Sequence, residues 1–269
     1  MQKIKVYSGY VQLLESADEV SAWFRKCPDN SIITFDWETT GLEYDAIPLG
    51  LSLHRHEGDN SPCFIPVDYF FNNGISMKVL AAICNKEFRR LRLVAHNAKF
   101  DSMINVMNGI EDSNCNIIAD TLVMIHLYDP TLDKQLEKRV KADFGYEKPT
   151  FEQICGKKWN KISWSRDGNE LLPLLAGYAG EDTYWETQMY RKYSPLLDED
   201  AKRVLTRIEM PLINILRDAK IRGVKIDVDL LHKMRVEAEQ KLIAYKDNIY
   251  KIAGCVFNLN SNPQKQKVF

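Results

Sequence analysis

Asp36 and Glu38 stand two residues apart at the polar end of the apolar run 31–38, Ser-Ile-Ile-Thr-Phe-Asp-Trp-Glu. On a strand, with its period of two, both side chains leave the same face. Carboxylates so close repel, and partial burial sharpens the cost, so either one is protonated or a cation lies between them. Asp101 closes the segment Ala95-His-Asn-Ala-Lys-Phe-Asp101, and Tyr178 and Asp182 are i and i+4 on one helix face. Singly, each has a plain structural role: a solvated strand end, a helix cap for Asp101, an aromatic beside an exposed acid. Together Asp36, Glu38, Asp101 and Asp182 offer hard oxygen ligands, which suit Mg²⁺ or Mn²⁺ rather than zinc. Four carboxylates suit two ions about 3.5–4 Å apart, the arrangement that cuts phosphodiesters. One ion makes a nucleophile of bound water and the other stabilises the leaving 3′-oxygen, with Tyr178 placed to orient the water. Glu181 is expected on a different face, in solvent.

These residues need elements to hold them. The pattern predicts a strand over 31–38, then strands over 49–54 and 63–67 joined by the turn Glu57-Gly58-Asp59-Asn60, an antiparallel meander. A helix over 76–84 with Ser76 as N-cap, a buried strand over 91–96 and a helix from Asp101 to Met107 follow. A further helix is expected over 117–127, with Asp120 a plausible cap. Residues 132–170 read as irregular and basic-aromatic, and 171–193 as a long amphipathic helix with Pro173 a candidate break. The first thirty residues give nothing specific. Beyond Pro195 and Asp198-Glu199-Asp200, the apolar residues Leu205, Ile208, Leu212, Ile215 and Leu216 recur at helical spacing up to Gly223. Asp227 or Asp229 then caps a second helix, whose stripe Leu231, Met234, Ala238, Leu242, Tyr245, Ile249 and Ile252 predicts core packing between helices. The order implies a mixed α/β sheet domain followed by a helical extension.

The chain has 269 residues, 45% of them hydrophobic, enough for one large domain with an appendage. No apolar run approaches the ~18 residues of a membrane span, and the first fourteen residues do not read as a signal peptide. Six cysteines without a CxxC pair argue against a disulfide scaffold or structural zinc and favour a reducing compartment. The net charge of −1 is a cancellation: residues 1–200 hold 22 Lys and Arg against 30 Asp and Glu, and residues 201–269 hold 14 against 7. The basic tail is a counter-surface for a nucleic-acid backbone or simply a solvated face. Gly156-Lys-Lys-Trp-Asn-Lys161, with Trp164 and Arg166, is either a single-strand grip of stacking rings and cations or a basic loop with a tucked tryptophan. His54 and His56 read as an exposed strand rather than a metal pair, there being no third ligand, and His96 as a packed strand-end residue.

Phe35-Asp-Trp-Glu-Thr-Thr-Gly-Leu42, Ala95-His-Asn-Ala-Lys-Phe-Asp101 and Tyr178-x-x-x-Asp182 resemble, in order, the three motifs of the DEDDy 3′–5′ exonucleases. The likeness is above all to the proofreading domain of family A, DNA polymerase I-type, enzymes. Asp120-Thr-Leu122 and Thr150-Phe-Glu-Gln-Ile-Cys-Gly156 are similar to its connecting segments. Ile208-Glu-Met-Pro-Leu212, Gly223-Val-Lys-Ile-Asp227 and Phe257-Asn-Leu-Asn-Ser261 resemble the start of the polymerase region.

The resemblance implies a ribonuclease H-like α/β fold, a mixed five-stranded sheet flanked by helices, over residues 1–195. Residues 196–269 would be the helical start of a polymerase thumb, with palm and fingers absent and no polymerisation by this chain alone. It implies that Asp36, Glu38 and Asp182 hold the metal bearing the nucleophilic water, that Tyr178 places that water, and that Asp36 and Asp101 hold a second Mg²⁺ or Mn²⁺. Leu42 would wedge against the 3′-terminal base, Trp164 would pack on the terminal nucleotide, and Thr39 and Asn97 would contact it. The implied activity is metal-dependent 3′–5′ exonuclease action on single-stranded or frayed DNA ends, releasing 5′-monophosphates in proofreading. The implied partners are DNA and a polymerase palm-and-fingers polypeptide, in the cytoplasm of a bacterial or phage-infected cell. A ribonuclease D-type RNA exonuclease shares the motifs, but the polymerase-like tail argues against it. The complete acid set argues against a non-catalytic DNA-binding module.

Overall fold

A computed structural model describes residues 2–6, 9–43, 45–58 and 61–268. Asp59 and Asn60, half of the expected turn, lie outside the described residues. The elements run β1 (Gln2–Val6), β2 (Gly9–Leu13), α1 (Ala17–Phe24), β3 (Ile32–Thr39), β4 (Pro48–Arg55), β5 (Cys63–Pro66), α2 (Met77–Phe88), β6 (Arg92–Ala95), α3 (Ala98–Met107) and β7 (Ile117–Asp120). Helices α4 (Thr121–Tyr128), α5 (Leu136–Phe144), α6 (Phe151–Cys155), α7 (Trp164–Tyr193), α8 (Glu199–Val204), α9 (Met210–Arg222), α10 (Val228–Ala253) and α11 (Asn262–Val268) follow.

The strands form one mixed sheet of seven, ordered β1-β2-β5-β4-β3-β6-β7, where five were expected. The meander β3–β4–β5 is antiparallel, as its short turns require, and β6 and β7 add in parallel beside β3. The two extra strands come from the N-terminal hairpin β1–β2, which joins parallel to β5 through Gln12 and Leu13.

β3 shows why the site forms where it does. Its odd residues Ile33, Phe35 and Trp37 enter a core with α1, α2 and α3, packed with Trp23, Phe24, Leu80, Phe88 and Met103. Burying each large side chain contributes about 1.5–3 kcal/mol, so a one-residue slip of register is strongly disfavoured. The even residues Thr34, Asp36 and Glu38 are thereby committed to the opposite face, which α7 covers through Leu175, Ala176 and Ala179 on one stretch and Trp185 and Met189 on the next. α7 lies close because Gly180 has no side chain: a Cβ there would sit 2.3 Å from Cγ2 of Val11.

Several expectations need correction. Residues 117–120 are a strand, not helix, because the β-branched pair Ile117 and Ile118 extends the sheet beside β6; α4 begins only at Thr121, capped by Asp120 through Leu122 N–H at 2.9 Å. The irregular stretch 132–170 contains α5 and α6, the latter opened by a Thr150–Gln153 capping box. α7 runs unbroken through Pro173, where buried Leu171, Leu172 and Leu175 hold it down.

The compact first unit continues to Arg222, so α8 and α9 pack with the sheet domain, and the division falls at Gly223, whose φ is +68°. A π-helical turn, Leu205–Glu209, joins α8 to α9. Its wider turn shifts the helical phase, so the expected stripe divides: Leu205 is buried as expected, but Ile208, Leu212, Ile215 and Leu216 are exposed, while Ile213 and Arg217 are buried. The second unit, Gly223–Phe269, holds α10, capped by Asp227 through Leu230 N–H at 2.9 Å, and α11. The stripe from Leu231 to Ile252 is exposed rather than core-packed. No helix among the described residues is long and apolar enough to cross a membrane.

Candidate active site

Asp36, Glu38 and Asp182 converge: one ligand oxygen of each lies within 4.8 Å of the other two. The first two come from the same face of β3, as the period of two requires, and the third from α7. A ladder of buried polar contacts sets the register of α7 on the sheet. Ser52 Oγ donates to the Ala179 carbonyl at 2.9 Å and lies 2.9 Å from Thr183 Oγ1; Thr187 Oγ1 lies 2.8 Å from Thr34 Oγ1 and 2.7 Å from His54 Nδ1. His54 and His56 therefore belong to this ladder and not to an exposed strand: His54 is fully buried, and His56 Nε2 meets Thr34 Oγ1 at 2.9 Å.

Asp101 is buried one turn into α3, not at its cap, and lies outside the 4.8 Å group. Its Oδ1 accepts from the Trp37 amide at 3.0 Å, and the Trp37 indole donates to Asn105 at 2.7 Å, pinning α3 to β3 from both sides of one residue. The start of α3 is held by Asp120, which accepts from the amides of Asn97 and Ala98 at 3.0 and 2.8 Å, with Asn97 in a left-handed turn at φ 66°. His96 packs at the strand end with Nδ1 2.8 Å from Thr121 Oγ1.

Crowding is written in the proton affinities. Burial, then the charge of Asp182, raises the Asp36 carboxyl to about 7. Burial followed by Asp36 and Asp182 lifts Glu38 well above the usual range, and burial followed by Asp36 does the same for Asp101. Asp182 rises to about 6 through burial, with Lys148 opposing. The Tyr178 phenol is pushed up by the Asp182 charge and then by burial, so it keeps its proton.

Two groups escaped the sequence reading. Lys148, buried, places Nζ 2.9 Å from Asp182 Oδ1 and 3.5 Å from the centre of the Tyr178 ring. Glu186, one turn beyond Asp182, is 2% exposed and keeps Oε2 without a hydrogen-bond partner. Spacing from Asp182 was the available signal for Glu186; nothing in the flanks of Lys148 marks it. Glu181 is buried, within reach of the Tyr146 hydroxyl at 3.3 Å, rather than in solvent. The clustered carboxylates of Asp36, Glu38 and Asp182, with the Lys148 ammonium against Asp182, are a donor set that fits a hard divalent cation.

The remaining candidates divide. Leu42 is 74% exposed on the loop after β3, and its carbonyl accepts from Lys220 Nζ at 3.2 Å. Thr39 is buried and donates to the Gly41 carbonyl at 2.6 Å, shaping that loop; Asn97 is exposed. Trp164, expected to pack on a terminal nucleotide, is instead 6% exposed and clustered with Phe151 and Trp159. Lys157 and Arg166 of the basic loop both pair with Asp167 at 2.8 Å.

No protein-family model matches the sequence. The chain is 26% identical over 257 residues to the DNA polymerase I of Pseudomonas aeruginosa, covering 90% of this chain and 27% of that one. It is 26% identical over 240 residues to the DNA polymerase I of Synechocystis, covering 86% and 23%. The chain thus spans about a quarter of the length of these curated relatives. Among solved structures, the POL domain of Pol1 from M. smegmatis, in complex with DNA primer-template and dNTP, matches with a TM-score of 0.61 and 16% identity, over 96% of this chain and 40% of that one. Escherichia coli RNase D, an exoribonuclease, matches at 0.53 and 13%, over 80% and 51%. Brucella melitensis NrnC with bound Mg²⁺ matches at 0.52 and 12%, over 74% and 90%. By sequence the chain is similar to DNA polymerase I enzymes over most of its length, and its fold is like that of RNase D and NrnC.

Proposed function

We propose that this chain is a metal-dependent 3′–5′ exonuclease acting on DNA ends, in the service of proofreading. The observation that carries the reading is the convergence of Asp36, Glu38 and Asp182 from β3 and α7 within 4.8 Å, with Asp101 buried alongside. Asp36, Glu38, Asp182 and Asp101 would hold two Mg²⁺ or Mn²⁺ ions, which when bound supply an activated water and charge neutralisation at the phosphodiester. Tyr178, its phenol kept protonated by Asp182, orients the attacking water as a hydrogen-bond donor or acceptor. The buried β3–α7 wall excludes bulk solvent behind the carboxylates, and Leu42, exposed on the loop after β3, would wedge against the terminal base. Thr39 shapes the loop that presents Leu42, and Asn97 contacts the terminal nucleotide from the turn before α3.

Homology to DNA polymerase I favours DNA as substrate, and the exposed stripe of α10 suits docking against a polymerase palm-and-fingers polypeptide. The likeness to RNase D supports a second reading, an RNA 3′ exonuclease. The reading as a whole places the chain in the cytoplasm. One gel tests both: a mismatched DNA primer-template and an RNA of the same sequence, each with Mg²⁺ or EDTA, and with wild type or Asp36→Asn. Stepwise 3′ shortening of DNA by wild type in Mg²⁺, lost by at least about 100-fold in Asp36→Asn and in EDTA, is expected. Digestion that persists in EDTA overturns it, and exclusive digestion of RNA transfers the assignment to the second reading.

A further inference from the structure

Lys148 sits on the segment between α5 and α6, after Gly145 in a left-handed turn and directly before Pro149. Its ammonium is fully buried, a position that costs several kcal/mol unless opposite charge surrounds it. That compensation comes from Asp182 at 2.9 Å and the Tyr178 ring face at 3.5 Å, with the Asp36 and Glu38 carboxylates also in its field. The ammonium therefore lies against Asp182, one of the three clustered carboxylates, and over the aromatic expected to handle water.

We propose that Lys148 is a resident counter-cation of this cluster, and that a divalent ion binds Asp182 only by displacing it. The inference rests on reading Asp36, Glu38 and Asp182 as metal ligands. With the metal absent, Lys148 keeps the buried carboxylates from driving β3 and α7 apart. With metal present, two cations compete for one carboxylate, and the ammonium gives way, uncovering the Tyr178 ring at the same moment. Loading the metal and freeing the tyrosine are thus one event, and Lys148 sets the metal concentration at which it happens. It is a positioning residue that acts through Asp182 and Tyr178.

The test is calorimetric titration of Mn²⁺ into the full chain, paired with melting temperatures in EDTA and in Mn²⁺, for wild type, Lys148→Met and Lys148→Arg. Lys148→Met removes the competitor, so Mn²⁺ binds tighter by roughly tenfold while the protein melts lower in EDTA. Lys148→Arg keeps a cation whose planar fork grips a carboxylate in two places, so Mn²⁺ binds more weakly than in wild type. A bond that merely supports the fold predicts weaker Mn²⁺ binding in both variants. Equal affinities in all three, or weaker binding in Lys148→Met, overturn the inference. Should Lys148→Met fail to fold in EDTA, Lys148→Gln takes its place in the titration under the same expectations, tighter Mn²⁺ binding supporting competition and equal or weaker binding overturning it. No Mn²⁺ binding by wild type would sink the underlying assignment of the ligands instead.

Discussion

Four neighbouring acids with the Lys148 ammonium against them resist ionising together, and this sets how the metal-free protein responds to pH. Asp36, Glu38, Asp101 and Asp182 hold their protons in the fold at pH values where the unfolded chain has released them. The stability they contribute is complete below an unfolded carboxyl value of about 4 and is lost as pH rises through the folded values. Those values are about 6 for Asp182 and about 7 for Asp36. In EDTA the melting temperature is therefore expected to fall between pH 5 and pH 8. A cation that prefers the ionised ligands reverses the trend, so the gain in melting temperature on adding Mg²⁺ grows across the same window. A flat profile in EDTA would show that the cluster is compensated by other charges. At this scale the acids were legible from residue type and spacing. Lys148 was not, because it meets Asp182 only through a loop of no regular structure.

Elements were legible where one physical pattern ruled and illegible where two competed. The alternation in β3 puts Asp36 and Glu38 on one face, since only that register buries Phe35 and Trp37. β7 was misread because four residues followed directly by a helix carry the apolar density of a longer helix. The buried face of α9 was misread because a π turn changes phase without leaving a compositional mark. That face carries Arg217, 3% exposed, whose Nη1 donates to Ser102 Oγ at 2.8 Å and pairs with Asp112. Ser102 follows Asp101 on α3, so α9 braces the helix that carries a candidate ligand. Arg217→Met is expected to cost about 1–3 kcal/mol in chemical denaturation and to slow hydrolysis more than it weakens substrate binding. Wild-type turnover in that variant would mean that Trp37 alone holds Asp101 in place.

Across the whole molecule the basic charge is not confined to an appendage. Residues 201–222 carry a net +4 and residues 223–269 a net +3. The first share belongs to the compact unit with the sheet. Removing residues 223–269 is therefore expected to leave digestion of a short single strand largely intact, as the candidate site lies wholly in the remaining unit. Affinity for duplex DNA should fall, and the slope of log affinity against log salt should become shallower by about 0.9 for each phosphate that the second unit neutralises. Fluorescence anisotropy across a salt series checks this, and an unchanged slope would assign duplex binding to the first unit alone.

The π turn at Leu205–Glu209 carries a consequence for how this chain tolerates change. It works as a phase counter: one residue more or fewer rotates everything after it by about 100°. Substitutions along α9 each act locally, whereas inserting a single residue ahead of Met210 turns the helix by about 100° and brings Leu212 and Leu216 to the places of Ile213 and Arg217. Arg217 would swing into solvent and the greasy outer stripe would be pressed towards Ser102 and Asp112. In this stretch the number of residues, more than their identity, decides which face of α9 meets α3.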